Sequence, residues 1–294
     1  MLFCGGKNTG KSSLLAMVAS VLSTTYNYNV LVADFDPGQP VVGVERVLSL
    51  FPWSPHDCTR SMFDRSVRCI YYSGTTPKHD PVFYTQSLNE LMSAASRDQP
   101  NYSARRVILI NTTGWIKSLG LSVLESTVDI TKPDLMVKIG KNLESLQPPE
   151  DNVMELDPNS NCREGNAKTA RLQRYVDYYG EGKSKVYAVS LSCVQVVVDG
   201  DVIADEETIR RLLGGNINVG LVNEGGNCVG VGCVIRVDRH CVMYVKTPVE
   251  KATLLEVRRV VFGGGEGWVG EDFGQAIGDG GMRSRNNIPR KRLL

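Results

Sequence analysis

Apolar residues fall in short dense runs along this chain, and most of the runs end in glycine or small polar residues. The first, residues 1–4, enters a glycine-rich turn, and residues 13–22 leave it as an apolar stretch of helical length. Residues 29–33, 105–110 and 134–140 are near-continuous apolar runs, the pattern of parallel strands buried on both faces. Residues 69–73 read as a short strand. Residues 82–96 place Phe83, Leu88, Leu91 and Met92 at helical spacing. Residues 51–55 and 75–81, rich in proline, read as loops. Residues 147–165 are polar and rich in Pro, Asn, Asp and Glu, which predicts a mobile linker, and a helix follows over 166–179.

From residue 185 the pattern changes. Residues 186–198, 218–222, 229–237 and 241–245 are valine-rich runs between Gly, Asp and Asn turns, an antiparallel signature. A helix over about 248–261 is expected next. The glycine-rich tail from 263 ends Arg290-Lys291-Arg292 and is expected to be disordered, with a weak suggestion of nuclear import or RNA contact. Strands alternating with helices, then strands alone, predict an α/β fold: a doubly wound, mostly parallel sheet over 1–183 and a smaller β-rich domain over 184–262.

The turn after the first run decides the chemistry. Gly5, Gly6, Lys7, Asn8, Thr9, Gly10, Lys11 and Ser12 fit G-x-x-x-x-G-K-[ST] at every fixed position, with Ser13 opening the apolar stretch. Strand, glycine loop and helix stand in the order of a P-loop NTPase. Glycines let backbone N–H groups wrap a polyphosphate. Lys11 supplies a cation to the β- and γ-phosphates, and the Ser12 hydroxyl suits Mg²⁺. Residues 1–4 make a short strand for this class, so a fragment, a truncated product or a compact variant is expected.

The run over 29–33 ends Asp34-Phe35-Asp36-Pro37-Gly38-Gln39, which brings two carboxylates to the strand's C-terminal edge, where open α/β sheets bind ligands. One can hold a Mg²⁺ shell and the other can take a proton from an incoming hydroxyl. The run over 105–110 ends Asn111-Thr112-Thr113-Gly114-Trp115 at the same edge. Trp115 suits either stacking on a base or anchoring the core. Arg171 and Arg174 share a helix face and suit a lid, over about 166–180, that closes on phosphates.

Net charge is +1, so no global field draws the chain to nucleic acid or membrane. No signal peptide or span of about twenty apolar residues is visible. The 8 cysteines show no zinc spacing and read as reduced thiols, with Cys4 and Cys193 expected in the core. His56 and His79 read as loop surface.

Taken together, the P-loop, D-x-D-x-G-Q, N-T-x-G-W and the Arg171/Arg174 helix closing on Tyr178-Tyr179-Gly180 resemble the polynucleotide 5′-hydroxyl kinase family. The run from Val237 through Val249 looks like its nucleolar branch. The resemblance implies transfer of the ATP γ-phosphate to the 5′-hydroxyl of RNA, with ATP and Mg²⁺ as cofactors. It implies RNA and an RNA-processing nuclease as partners, in a nuclear, nucleolar setting, and no membrane. It further implies that Lys11 and Ser12 hold phosphates and Mg²⁺, that Asp34 supports the metal shell, and that Asp36 is the base. Gln39, Thr112, Thr113, Gly114 and Trp115 would clasp the acceptor end, and Arg171 and Arg174 would be lid arginines. The resemblance also carries the expectation that the family's N-terminal β domain, which helps grip adenine, is missing from this chain. Two rivals stay open: a non-catalytic ATP-binding scaffold, and a P-loop GTPase or ATPase switch. Against the switch, Lys141-Asn142 does not make N-K-x-D.

Overall fold

A computed structural model describes residues 1–54, 59–98, 105–141, 143, 146, 152–158, 167–180 and 182–263. The chain divides into two compact units, Met1–Ala167 and Lys168–Leu294. The first runs β1 (Leu2–Gly5), α1 (Lys11–Thr24), β2 (Asn29–Asp34), β3 (Val47–Pro52), α2 (Thr59–Arg65), β4 (Arg68–Tyr71), α3 (Pro81–Arg97), β5 (Arg106–Asn111), α4 (Leu119–Thr131), β6 (Met136–Ile139) and β7 (Val153–Leu156). The sheet order is β4-β3-β2-β5-β1-β6-β7. β2, β5, β1, β6 and β7 are parallel, and β3 and β4 add an antiparallel edge.

The parallel core forms because its strands are aliphatic on both faces. Residues Val30 to Ala33 of β2 are all buried. Leu31, Ala33, Leu2, Cys4 and Ile110 point into one cluster with Leu88 and Leu91 of α3 and Val123 and Leu124 of α4. α1 packs against β1, β2 and β5, and its buried Leu15 and Ala19 lie outside that cluster, as the second face of a doubly wound sheet requires. Each fully buried aliphatic side chain contributes on the order of 2 kcal/mol. α3 has a well-formed start. Pro81 sits in its first turn, and the Asp80 carboxylate accepts from Phe83 N at 2.9 Å.

The second unit holds α5 (Ala167–Tyr179, from its second residue), β8 (Lys185–Ser190), β9 (Gln195–Val198), β10 (Asp201–Ile203), α6 (Glu206–Leu212), β11 (Ile217–Asn223), β12 (Cys228–Val237), β13 (Val242–Thr247), α7 (Lys251–Leu254) and β14 (Val257–Phe262). Its sheet runs β10-β9-β14-β11-β12-β13-β8, antiparallel except where β14 pairs with β9. This is the separate β-rich domain expected from the valine runs.

Several expectations need correction. Phe51 and Pro52 end β3 rather than lying in a loop, and Pro52 is tolerated because it is the strand's last residue. The linker expected over 147–165 contains β7, which pairs in parallel with β6. β7 is an exposed edge strand, so its composition is polar like a loop's. Residues 248–261 hold only the short α7 before β14, whose Val257, Val260 and Phe262 are buried in the sheet. Cys193 is exposed in a short 3-10 turn that splits residues 186–198 into β8 and β9, whereas Cys4 is buried. The units part at 167/168 rather than near 184, because α5 anchors in the second sheet. Tyr178 Oη donates to Val231 O at 3.2 Å and accepts from Val231 N at 2.9 Å. Tyr179 Oη donates to Asn218 Oδ1 at 2.9 Å. His79 is exposed. His56 and the tail beyond 263 lie outside the described residues.

Candidate functional site

β1 delivers the glycine loop to the C-terminal edge of the sheet's centre. The loop turns through Asn8 (φ 59°) and Gly10 (φ 92°), both left-handed, before α1 opens on Lys11. Thr9 Oγ1 donates to Gly6 O at 3.0 Å and closes the turn. Gly5 must be glycine: a Cβ there would stand 2.5 Å from Ile139 O on β6. Lys11 is buried, and its Nζ donates to Gly5 O at 3.0 Å and Gly6 O at 2.8 Å, so its charge lies in the hollow of the loop. Burial pulls the Lys11 ammonium down, and Asp36 pushes it back up. Ser12 is half-buried in the first turn of α1, while Lys7 and Ser13 are exposed.

Two strands away, β2 brings the acids. Asp34 is fully buried. Its Oδ1 accepts from Asn111 Nδ2 at 2.8 Å and from Asp36 N at 3.3 Å, and its Oδ2 accepts from Val41 N. Burial pushes its carboxyl up to about 7, with Asp36 adding to the rise and the donated hydrogen bonds opposing it. Asp36 is half-buried. Its Oδ1 accepts from Gly38 N at 3.0 Å and Gln39 N at 3.1 Å. Its Oδ2 makes no hydrogen bond among the described residues. Burial raises Asp36, while these two N–H groups and the cations of Lys11 and Lys7 lower it. The two acids thus differ in kind: Asp34 is an interior anchor, and Asp36 presents an oxygen.

The Asp36 turn is clamped from outside. A Cβ on Gly38 would stand 2.4 Å from Thr75 O, so the loop before α3 lies directly against it. Tyr72 Oη holds that loop by donating to Asp80 O at 2.9 Å and accepting from Asp80 N at 3.0 Å. Tyr84 Oη, buried, donates to Phe35 O between the two acids at 2.8 Å. The helical spacing over 82–96 does not single out Tyr84, since its role depends on a contact 49 residues away.

β5 runs between β2 and β1 and ends in the third segment. Asn111 is paired in register with Asp34. Thr112 is buried, and its Oγ1 donates to Phe3 O at 2.8 Å, binding β5 to β1. Gly114 abuts the P-loop, since a Cβ there would lie 2.8 Å from Lys7 N. Trp115 N donates to Thr113 Oγ1 at 3.4 Å. The Trp115 indole is half-buried, packs on the core and lies over Gly120. The first unit therefore brings together the P-loop, both acids and residues 111–115. Arg171 and Arg174 lie three residues apart on α5 in the second unit, both half-buried.

For a divalent cation the candidate donors are oxygens. They are the Ser12 hydroxyl, the Asp34 carboxylate, and Asn111 Oδ1, which is buried and without a hydrogen-bond partner. That set fits Mg²⁺, which keeps several waters and takes few protein ligands.

The family description "mRNA cleavage and polyadenylation factor CLP1 P-loop" matches residues 5–174, from the glycine loop through Arg174. The chain belongs to the CLP1 P-loop family. Among curated relatives, a polynucleotide 5′-hydroxyl-kinase GRC3 from Candida albicans is 26% identical over 168 residues, covering 53% of this chain and 23% of that protein. A polynucleotide 5′-hydroxyl-kinase NOL9 from Arabidopsis thaliana is 30% identical over 145 residues, 47% of this chain and 39% of that one. The chain thus spans well under half the length of these relatives. A chain of a solved Clp1p–Pcf11p complex matches with a TM-score of 0.71 at 11% identity, over 88% of this chain and 73% of that one, which is a likeness of fold. No helix among the described residues of this CLP1 P-loop family member is long and apolar enough to cross a membrane.

Proposed function

We propose that this chain is the phosphoryl-transfer part of an ATP-dependent polynucleotide 5′-hydroxyl kinase acting on RNA. The observation that carries the reading is the divided Asp36 carboxylate: one oxygen is fixed by two backbone N–H groups, and the other makes no hydrogen bond among the described residues and feels the Lys11 charge. A carboxylate so held can accept the proton of an attacking 5′-hydroxyl as its oxygen bonds to the γ-phosphorus. The bond from the γ-phosphorus to the β–γ bridging oxygen breaks, and ADP leaves. Lys11 neutralises charge on the transferring group, and positioning supplies most of the rest. Ser12 would ligand Mg²⁺ directly, with Asp34 and Asn111 behind it, and the cation so held would supply neutralisation of phosphate charge. Gln39 and residues 112–115 would line the acceptor end, and Arg171 and Arg174 would act as a lid. Relatives named polynucleotide 5′-hydroxyl-kinase support the kinase reading; a place in ribosomal RNA processing in the nucleolus, with other RNA-processing subunits as partners, belongs to the same proposal.

The test is transfer of labelled γ-phosphate from ATP to a 5′-hydroxyl oligoribonucleotide. Asp36→Asn is expected to abolish transfer while sparing ATP affinity, and Lys11→Ala to reduce both. Parent-like transfer by Asp36→Asn would overturn the base assignment.

A further inference from the structure

The peptide bond between Phe35 and Asp36 is held at both ends. Its carbonyl, Phe35 O, accepts from Tyr84 Oη at 2.8 Å, and its N–H, on Asp36, donates to Asp34 Oδ1 at 3.3 Å. A peptide group is planar, and its C=O and N–H point to opposite sides, so two such bonds fix the rotation of the whole plane. That rotation sets the direction in which the Asp36 side chain leaves the backbone. The turn beyond it is tied to the same two acids. Residues 37 and 40 are prolines, and the N–H groups of Gly38 and Gln39 go to Asp36 Oδ1 while that of Val41 goes to Asp34 Oδ2. These bonds all lie within residues 34–41. The Tyr84 bond is different: it reaches the turn from α3, 49 residues along the chain.

Tyr84 is itself held firmly enough to serve as a reference point. It is 1% exposed, inside the core cluster that includes Phe35 and Leu88. The Tyr72 ring meets it edge-on, with centroids 5.7 Å apart and planes at 76°. Tyr72 also stacks on Phe83 at 6.1 Å. Its hydroxyl exchanges hydrogen bonds with the backbone of Asp80, and Tyr84 N donates to Asp80 O at 3.0 Å in the first turn of α3. One tyrosine thus fixes the helix start from which the other reaches the acids. Packing alone would be met by a phenylalanine at position 84. The hydroxyl adds one thing, a donor to the carbonyl between the acids, and a phenol keeps that proton at neutral pH. Without it Phe35 O would be a buried acceptor short of a partner, which favours rotation of the peptide toward another donor.

We propose that Tyr84 is a positioning residue for phosphoryl transfer: its hydroxyl, acting through the Phe35–Asp36 peptide, fixes the direction in which the Asp36 carboxylate faces the acceptor. Tyr84 is buried behind the turn and acts only through Asp36. The proposal rests on the reading of Asp36 as the base, and it adds the residue that orients that base. A misplacement of about 1 Å in a catalytic group costs on the order of 100-fold in rate. Loss of one of several tethers frees the peptide only in part, so a smaller effect is expected, confined to the step in which Asp36 takes the proton.

The experiment uses the full chain and two substitutions. Tyr84→Phe removes only the hydroxyl and keeps the ring. Leu88→Val, one turn further along α3, trims the same core without touching Phe35 O. Transfer to a 5′-hydroxyl oligoribonucleotide gives kcat and the acceptor KM, calorimetry gives MgATP affinity, and hydrogen–deuterium exchange with peptide mapping reports the turn. Tyr84→Phe is expected to lower kcat about tenfold while acceptor KM and ATP affinity stay within about twofold. Its amides over 36–41 are expected to exchange at least about tenfold faster, with residues 88–95 protected as in the parent. Leu88→Val is expected to lower the unfolding midpoint and leave kcat within about twofold. Parent-like kcat or parent-like exchange over 36–41 in Tyr84→Phe would overturn the proposal, as would an equal fall of kcat in both variants. The kinase reading fails separately. A parent that transfers no phosphate, with exchange in Tyr84→Phe quickened only over 36–41, contradicts the kinase and leaves Tyr84 as the residue that orients Asp36.

Discussion

Asn111 Nδ2 donates to Asp34 Oδ1 at 2.8 Å, joining the ends of β5 and β2 at a fully buried point behind the site. Their register pairing brings them together, and the bond opposes the burial that pushes Asp34 up to about 7 from its usual 3.8. Between those values the folded chain keeps a proton that the unfolded chain has released. Stability therefore falls as pH rises through that window, by at most on the order of 4 kcal/mol, and is insensitive to this group below it. Asn111→Leu removes the donor and should push Asp34 higher still. Urea unfolding at pH 5.5 and pH 8 is expected to show a loss of about 1–3 kcal/mol at pH 8 and a smaller one at pH 5.5. An equal loss at both values would mean that Asp34 is not the group responsible.

Gly114 is where the third segment touches the P-loop. A Cβ there would lie 2.8 Å from Lys7 N and 2.9 Å from Lys7 Cα, and a backbone neighbour cannot swing aside as a side chain would. Gly114→Ala must therefore shift the loop. Nucleotide affinity is expected to fall about tenfold or more, with a stability change of roughly 1–2 kcal/mol. Equilibrium binding of ATP beside a denaturation curve checks this, and unchanged affinity would show that the loop relaxes freely.

What could be read in the sequence was local. The P-loop is one contiguous string, and β2 and β5 are aliphatic runs that stop at polar residues, so strand, edge and chemistry coincide. Other features needed register or packing. Asn111 looks like one more polar residue at a strand end until its pairing with Asp34 is known. Tyr84 looks like part of an amphipathic face until its phenol meets Phe35 O. β7 was hidden because an edge strand four residues long with three exposed positions has loop composition. β14 was hidden because Arg258 and Arg259 interrupt its apolar residues and mimic a helical period. The contact of the Trp115 ring with Gly120, five residues on, could not be read from the sequence either.

The thiols test the burial map independently of nucleotide chemistry. Cys4, Cys69 and Cys233 are buried, and burial pushes each up to about 12. Cys193 is exposed. Thiol alkylation needs both the thiolate and access, so raising the pH from 7 to 9 leaves the three buried thiols protonated and shielded. With iodoacetamide on the native protein and peptide mapping to resolve each cysteine, Cys193 is expected to be labelled first among the cysteines of the described residues. Cys4, Cys69 and Cys233 should react only after unfolding in denaturant. Native labelling of Cys4 at a rate near that of Cys193 would mean that β1, and with it the root of the P-loop, opens to solvent far more readily than an interior strand of a seven-stranded sheet should.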